Sequence, residues 1–253
     1  MTPSRLRWGA LAWLATLQFF VVETVVQFRG RGHSRAEDVI SDLGETTWPG
    51  HQAMNASFVV QAALVLGGAL LLLPVLRSGA GRAAAYLLGA AAIGTLLVGV
   101  FPSDRSGTWH GVGAVLYLVG SAVGLICLAY ALRRRSEVLG TVLVLLGLVG
   151  AAATAFFLAE VDVLARGATE RAAAYVLPIG LALTGIALWL GRTRDPAELE
   201  EARRQRAERA RERDEALEAA ALRAEARTGT TGTTGPGPVD DAEDHWAPVR
   251  RTD

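Results

Sequence analysis

Ser41, Asp42, His51, Asn55, Asp104 and His110 stand where an otherwise oily chain turns briefly polar, and Glu23, Glu160, Glu170 and Arg171 lie at the ends of neighbouring apolar runs. A carboxylate or an imidazole carries a proton or binds a metal, while Ser and Asn orient a polar ligand through hydrogen bonds. His51 and Asn55 are four residues apart, so a helix places both on one face. His51 and His110 with Asp42 or Asp104 make up the three protein ligands of a catalytic zinc site, with a fourth position for water and Glu160 as base. These candidates come from separate segments, with no His-x3-His pair to fix two ligands on one turn. Each also has a structural role open to it. Glu23 matches Arg171 or Arg29, the two histidines suit the lipid headgroup level, Ser41-Asp42-Leu43-Gly44 suits an ordinary turn, and Glu170-Arg171 suits a helix cap.

The elements that must position these groups are transmembrane helices. Six apolar stretches, at 7–28, 53–76, 83–101, 110–132, 138–160 and 172–190, approach or exceed the roughly 20 residues that cross about 30 Å of hydrocarbon. Six such helices in succession leave no polar face to meet water, so an ordinary soluble globule is excluded. Strands are excluded as well, since the runs are rich in Ala, Leu and Gly and lack alternation. The first run is too long for a signal-peptide core and no small-x-small site follows it, so it is expected to remain as a span. Small residues recur at four-residue spacing, as at Gly120 with Gly124, Gly147 with Ala151 and Ala90 with Gly94, and they favour close helix approach. Cys127 is the only cysteine, which excludes an intrachain disulfide.

Charge sets the expected orientation. The chain has no lysine, and its 25 basic residues, all arginine, balance 25 acids, which gives no footprint for nucleic acid. Nine arginines (5, 7, 77, 82, 133, 134, 135, 192 and 194) flank the spans on the amino-terminal side. Six (29, 31, 35, 105, 166 and 171) flank them on the other. The excess predicts a plasma-membrane protein with both termini in the cytoplasm and the polar cluster outside. Glu23, His33, Ser41, Asp42, His51, Asn55, Asp104, His110, Glu160, Asp162, Glu170 and Arg171 then share one membrane level.

Beyond the spans the character changes. Asp195-Pro196-Ala197-Glu198 reads as a helix start, and Glu200 with Arg204 and Glu208 with Arg211 are spaced to pair along its surface. Thr228 onward is Thr-, Gly- and Pro-rich and then acidic, too polar to bury a core. The expected organisation is all-α: a bundle of six transmembrane helices over 1–192, a charged cytoplasmic helix over 193–227 and a disordered tail over 228–253.

The polar residues also carry a resemblance. Ile40-Ser41-Asp42-Leu43-Gly44 after a first span, Asn55 early in the second, Phe101-Pro102-Ser103-Asp104 followed by His110, and Glu170-Arg171 before the last span occur in this order. The chain, over residues 7–190, resembles the domain-of-unknown-function 998 family of integral membrane proteins. That resemblance implies a six-helix membrane domain and supplies no activity.

Three functions are open at this stage. An outward-facing polar pocket lined by Asp42, Asn55, Asp104, His110 and Arg171 would bind or move a small molecule or lipid of the outer leaflet. Ser, Asp and His at one level are also distantly similar to a membrane-hydrolase group, including alkaline ceramidases, that uses zinc, so an intramembrane metal-dependent hydrolase is the alternative. The third is a structural or assembly subunit whose charged tail contacts a membrane-complex partner. Zinc is expected only under the hydrolase reading. The bilayer is a partner under all three.

Overall fold

Each apolar run becomes a helix, and among the described residues no strand occurs. The computed structural model describes residues 2–161, 163–191 and 196–230, without the side chains at 196–200, 202–203 and 224–230. The chain divides into two compact units, Met1–Thr193 and Arg194–Asp253. In the first unit six segments are long and apolar enough to cross a bilayer: Pro3–Gln27, His51–Leu72, Gly79–Val100, Gly107–Leu132, Glu137–Leu158 and Arg166–Gly191. The first consists of α1 (Pro3–Ala15) and α2 (Gln18–Gln27), and the next four are α3, α4, α5 and α6 in order. The sixth consists of α7 (Arg166–Ala174) and α8 (Val176–Gly191). It starts six residues earlier than its apolar run, so Glu170 and Arg171 lie within the helix rather than at its mouth.

The two interrupted spans lie side by side, and their breaks meet. At Thr16 and Leu17 the backbone tightens to three-residue hydrogen bonds, with Thr16 and Leu17 N–H donating to the Trp13 and Leu14 carbonyls at 3.3 and 3.2 Å. The Thr16 hydroxyl donates to the Trp13 carbonyl at 2.6 Å and reaches the Pro178 carbonyl at 3.3 Å. Pro178 has no N–H to return to Ala174, four residues back, so that carbonyl needs another donor. The Tyr117 hydroxyl supplies it from α5 at 2.9 Å. Every freed group named here has found a partner inside the protein.

Small residues set the helix spacing. A Cβ on Gly94 would collide with the Tyr117 backbone nitrogen and sit 2.5 Å from the Gly113 carbonyl oxygen, so α4 and α5 meet almost backbone to backbone. Gly185 brings α8 equally close to α1, where its Cβ would meet the Ala10 carbonyl at 2.6 Å. Between these contacts Trp13, Val65, Leu88, Leu125, Leu177 and Leu181 fill one half of the interior. Phe19, Met54, Phe58, Val98 and Leu118 fill the other half, together with Ile40 and Leu43 from the first loop. That loop therefore plugs the bundle as well as connecting it. Val21, Leu66, Leu70, Ile93, Leu145 and Leu148 stay exposed, forming the apolar exterior that lipid chains cover.

The second unit contains α9 (Pro196–Thr230), which runs three residues beyond the expected end at 227. Its described side chains are almost all exposed, and Glu208 and Arg211 do not close to an ion pair. The Glu200–Arg204 pairing, Asp162 and the expected disordered tail from residue 231 lie outside what is described.

Replacing Gly94 by Leu forces α4 from α5 against backbone atoms that cannot yield. We expect a loss of about 1–3 kcal/mol or more, read as a lower thermal midpoint of the detergent-solubilised chain, with Gly89→Leu as a control because a Cβ there meets nothing within 4 Å.

Candidate functional site

The first, third and fifth loops gather at one rim of the bundle. The first, residues 28–50, lies across this rim as a strap. Its middle is tied to the start of α7, where the opening turn of a helix leaves backbone donors unpaired. Gly167 N–H donates to the Glu37 carbonyl at 3.2 Å and Ala168 N–H to the Ala36 carbonyl at 2.8 Å. Glycine is needed at 167, because a Cβ would strike the Asp38 carbonyl oxygen and approach that of Ala36 to 3.0 Å.

Beneath the strap sits a buried ion pair. Glu23 is fully buried and the Arg171 side chain nearly so. Arg171 Nε donates to Glu23 Oε1 at 3.0 Å. Its Nη1 donates to the carbonyls of Arg35, Asp38 and Gly167 at 2.8, 2.7 and 3.2 Å. Its Nη2 donates to His33 Nε2 at 3.2 Å. The second Glu23 oxygen accepts the Tyr175 hydroxyl at 2.6 Å, and Tyr175 in turn accepts from Arg35 Nη2 at 2.5 Å. Arg35 also stands 3.5 Å from Glu23 Oε1. A buried charge is tolerated only when paired and hydrogen-bonded, and these partners meet that condition. Burial and then the Arg171 charge lower the His33 pKa below its ordinary value, which keeps the ring neutral and able to accept.

Other expected site residues hold the same strap, each by its own contact. Asn55 Nδ2 donates to the Gly44 carbonyl at 2.8 Å, while its Oδ1 is buried without a partner. A Cβ on Gly44 would run into that oxygen, which explains the glycine there. Asp104 accepts both the backbone N–H of Thr46, at 2.9 Å, and its hydroxyl. These bonds, the Thr46 hydroxyl first, lower the Asp104 pKa. Ser103 Oγ donates to Glu45 Oε1 at 3.0 Å, a second tie between the same loops. Asp42 lies on the 3-10 turn Ile40–Gly44, and burial, followed by the nearby Glu45 charge, raises its pKa.

His110, Ser41 and Glu170 do share a space. They line a cavity of about 40 Å3 whose other walls include Phe19, Phe58, Val98 and Leu118. One Glu170 oxygen accepts the backbone N–H of Ile40, so the carboxylate binds the strap and borders the cavity at once. Glu160 stands apart. It has a positive φ of 53° and lines a separate cavity of about 280 Å3 with Phe157, Arg166 and Thr169.

The candidate zinc donors do not gather into one group among the described residues. His51 and His110 each direct Nδ1 at a backbone carbonyl, of Trp48 and Phe101 respectively, at 3.0 Å. Among the described residues no group of three His, Cys, Asp or Glu could hold an ion. Asp42, Asn55, Asp104, His110 and Arg171 thus share a rim and a strap but do not converge on one point.

Residues 13–187 match the family described as "Protein of unknown function (DUF998)". The chain belongs to that family. No curated protein and no solved structure matches it. The family region takes in every residue of the strap and the ion pair and leaves out α9. Within it, Tyr175 and Arg35 were missed by the sequence reading. Tyr175 follows Arg171 by four residues on the same helix face, which was the available signal. Arg35 closes on Glu23 across a chain separation that spacing does not reveal. Gln18, Ser57 and Gln61 were missed too; they link the first two spans, with Gln18 Nε2 3.3 Å from Gln61 Oε1 and Ser57 Oγ 3.1 Å from Gln18 Oε1.

Arg171→Met takes from the buried Glu23 carboxylate its buried partner, leaving the half-exposed Arg35 and Tyr175, and should cost about 3 kcal/mol of stability. Glu23→Met in the same chain should recover part of that loss, although the strap carbonyls lose their donor in both variants. Thermal unfolding of the three chains in one detergent measures the difference.

Proposed function

We propose that the chain is a plasma-membrane protein with both termini in the cytoplasm, whose strapped rim faces outward and binds or moves a small molecule or lipid of the outer leaflet. The arginine excess on the opposite side supports the orientation. The observation that carries the ligand reading is Glu170: a carboxylate that borders a mostly apolar cavity beside His110 and Ser41. An acid kept inside a membrane bundle is expensive, and such residues mark ligand or ion routes. In this closed form the cavity has room only for water. A ligand of the proposed kind has an apolar body and a hydrogen-bond-donating or cationic head, and it displaces the Ile40 N–H from Glu170 as the strap lifts. The unpaired Asn55 oxygen, buried under Gly44, gives the same strap a polar contact still to be satisfied. The geometry offers no matching support for a zinc hydrolase.

Hexylammonium and hexanoate, matched in size and opposite in charge, test this reading. Hexylammonium at 100 times its Kd should stabilise the detergent-solubilised chain by about 2.7 kcal/mol, and hexanoate should leave it unchanged. Glu170→Gln, which keeps an acceptor for Ile40, should abolish the hexylammonium effect. Equal effects of both probes, or an unchanged response in Glu170→Gln, would contradict the proposal. Orientation is tested separately. In a Cys127→Ser background, an impermeant maleimide added to intact cells should label Thr47→Cys and spare Arg134→Cys.

A further inference from the structure

At the rim opposite the strap, a groove of about 480 Å3 opens between the end of α5 and the start of α6. Tyr130, Arg133, Arg134, Glu137, Val144 and Leu145 are among its walls. Backbone and serine hydrogen bonds close this turn. Arg135 and Ser136 N–H return to the Leu132 carbonyl at 2.8 and 3.2 Å, and Ser136 Oγ accepts the Leu139 N–H at 3.2 Å. The arginine side chains are therefore not consumed in closing the turn. Arg133 stacks over the Tyr130 ring at 5.3 Å, and Glu137, the one acid among the described residues of the groove, pairs with neither Arg133 nor Arg134.

Two guanidinium groups without a carboxylate partner among the described residues match the oxygens of a phosphate, which arginine binds in a fork. Tyr130 is more than half exposed at the same level, where aromatic rings meet headgroups. One or two turns deeper, Val144 and Leu145 continue the groove as an apolar wall, and Leu145 and Leu148 stay exposed toward the hydrocarbon. A phosphate site with an oily extension suits an anchored lipid better than a free ion.

We propose that this groove holds one anionic phospholipid, with its phosphate on Arg133 and Arg134 and an upper acyl chain along Val144 and Leu145. The site requires only the six spans, which set its depth in the bilayer. Placing it in the cytoplasmic leaflet rests on the orientation proposed above. It is independent of the strapped cavity.

The test uses the full chain, delipidated in detergent and examined by native mass spectrometry. Phosphatidylglycerol, phosphatidylethanolamine with the same acyl chains, and inorganic phosphate are the probes. Phosphatidylglycerol should be retained about tenfold more than phosphatidylethanolamine, and Arg133→Gln with Arg134→Gln should lower its retention by about tenfold. Arg77→Gln with Arg82→Gln removes as much charge from the same rim outside the groove and should leave retention unchanged. Leu145→Trp keeps both arginines, obstructs the apolar wall and should also weaken retention. Equal losses in the two double variants would overturn the proposal, because rim charge alone would then explain binding. So would equal retention of the two lipids, or displacement of phosphatidylglycerol by inorganic phosphate, which would leave a site for a bare anion.

Discussion

The Glu23–Arg171 pair is the interaction on which the strapped rim depends. It joins the first span to the sixth, and through the remaining guanidinium donors it fixes the loop that covers both. Neither charge is tolerable alone at that depth. Each therefore enforces the position of the other, and the first and last spans must close side by side. Tyr175 and Arg35 complete the arrangement by occupying the other acceptor sites of Glu23. With the outer bonds of Asn55 and Asp104, the strap is held at its middle and near its end, above a cavity bordered by Glu170.

The bundle beneath follows from a different constraint. Lipid chains are as apolar as leucine, so the helices gain little by hiding hydrophobic side chains from each other. Close contact and satisfied polar groups must hold them instead. Gly94 and Gly185 provide the first, while Thr16 and Tyr117 provide the second at the two interrupted spans. The breaks in α1–α2 and α7–α8 are stable because each lies where the other can supply or receive a hydrogen bond.

The spans were legible because their length and composition leave few alternatives, and the pairing of Glu23 with Arg171 was one of two partners that the residue types allowed. The start of the sixth span was not. Arg166, Glu170 and Arg171 look polar enough to end a span, yet they are helical because strap carbonyls cap the first turn and Glu23 absorbs the charge. His51 and His110 looked like ligands by residue type. Each directs Nδ1 at a nearby backbone carbonyl, a local contact that spacing in the sequence does not reveal. Asp104 read as a pocket acid and serves as an acceptor for Thr46, a contact across 58 residues of chain.

Arg171 grips the strap by main-chain oxygens at residues 35 and 38, not by what those residues carry as side chains. Backbone carbonyls are common to every amino acid. Arg171's grip therefore tolerates an exchange of side chains here, apart from Arg35 with its own contact to Glu23, but it does not tolerate the gain or loss of a residue, which would slide the wrong oxygens past the guanidinium. Spelling can drift there; length cannot.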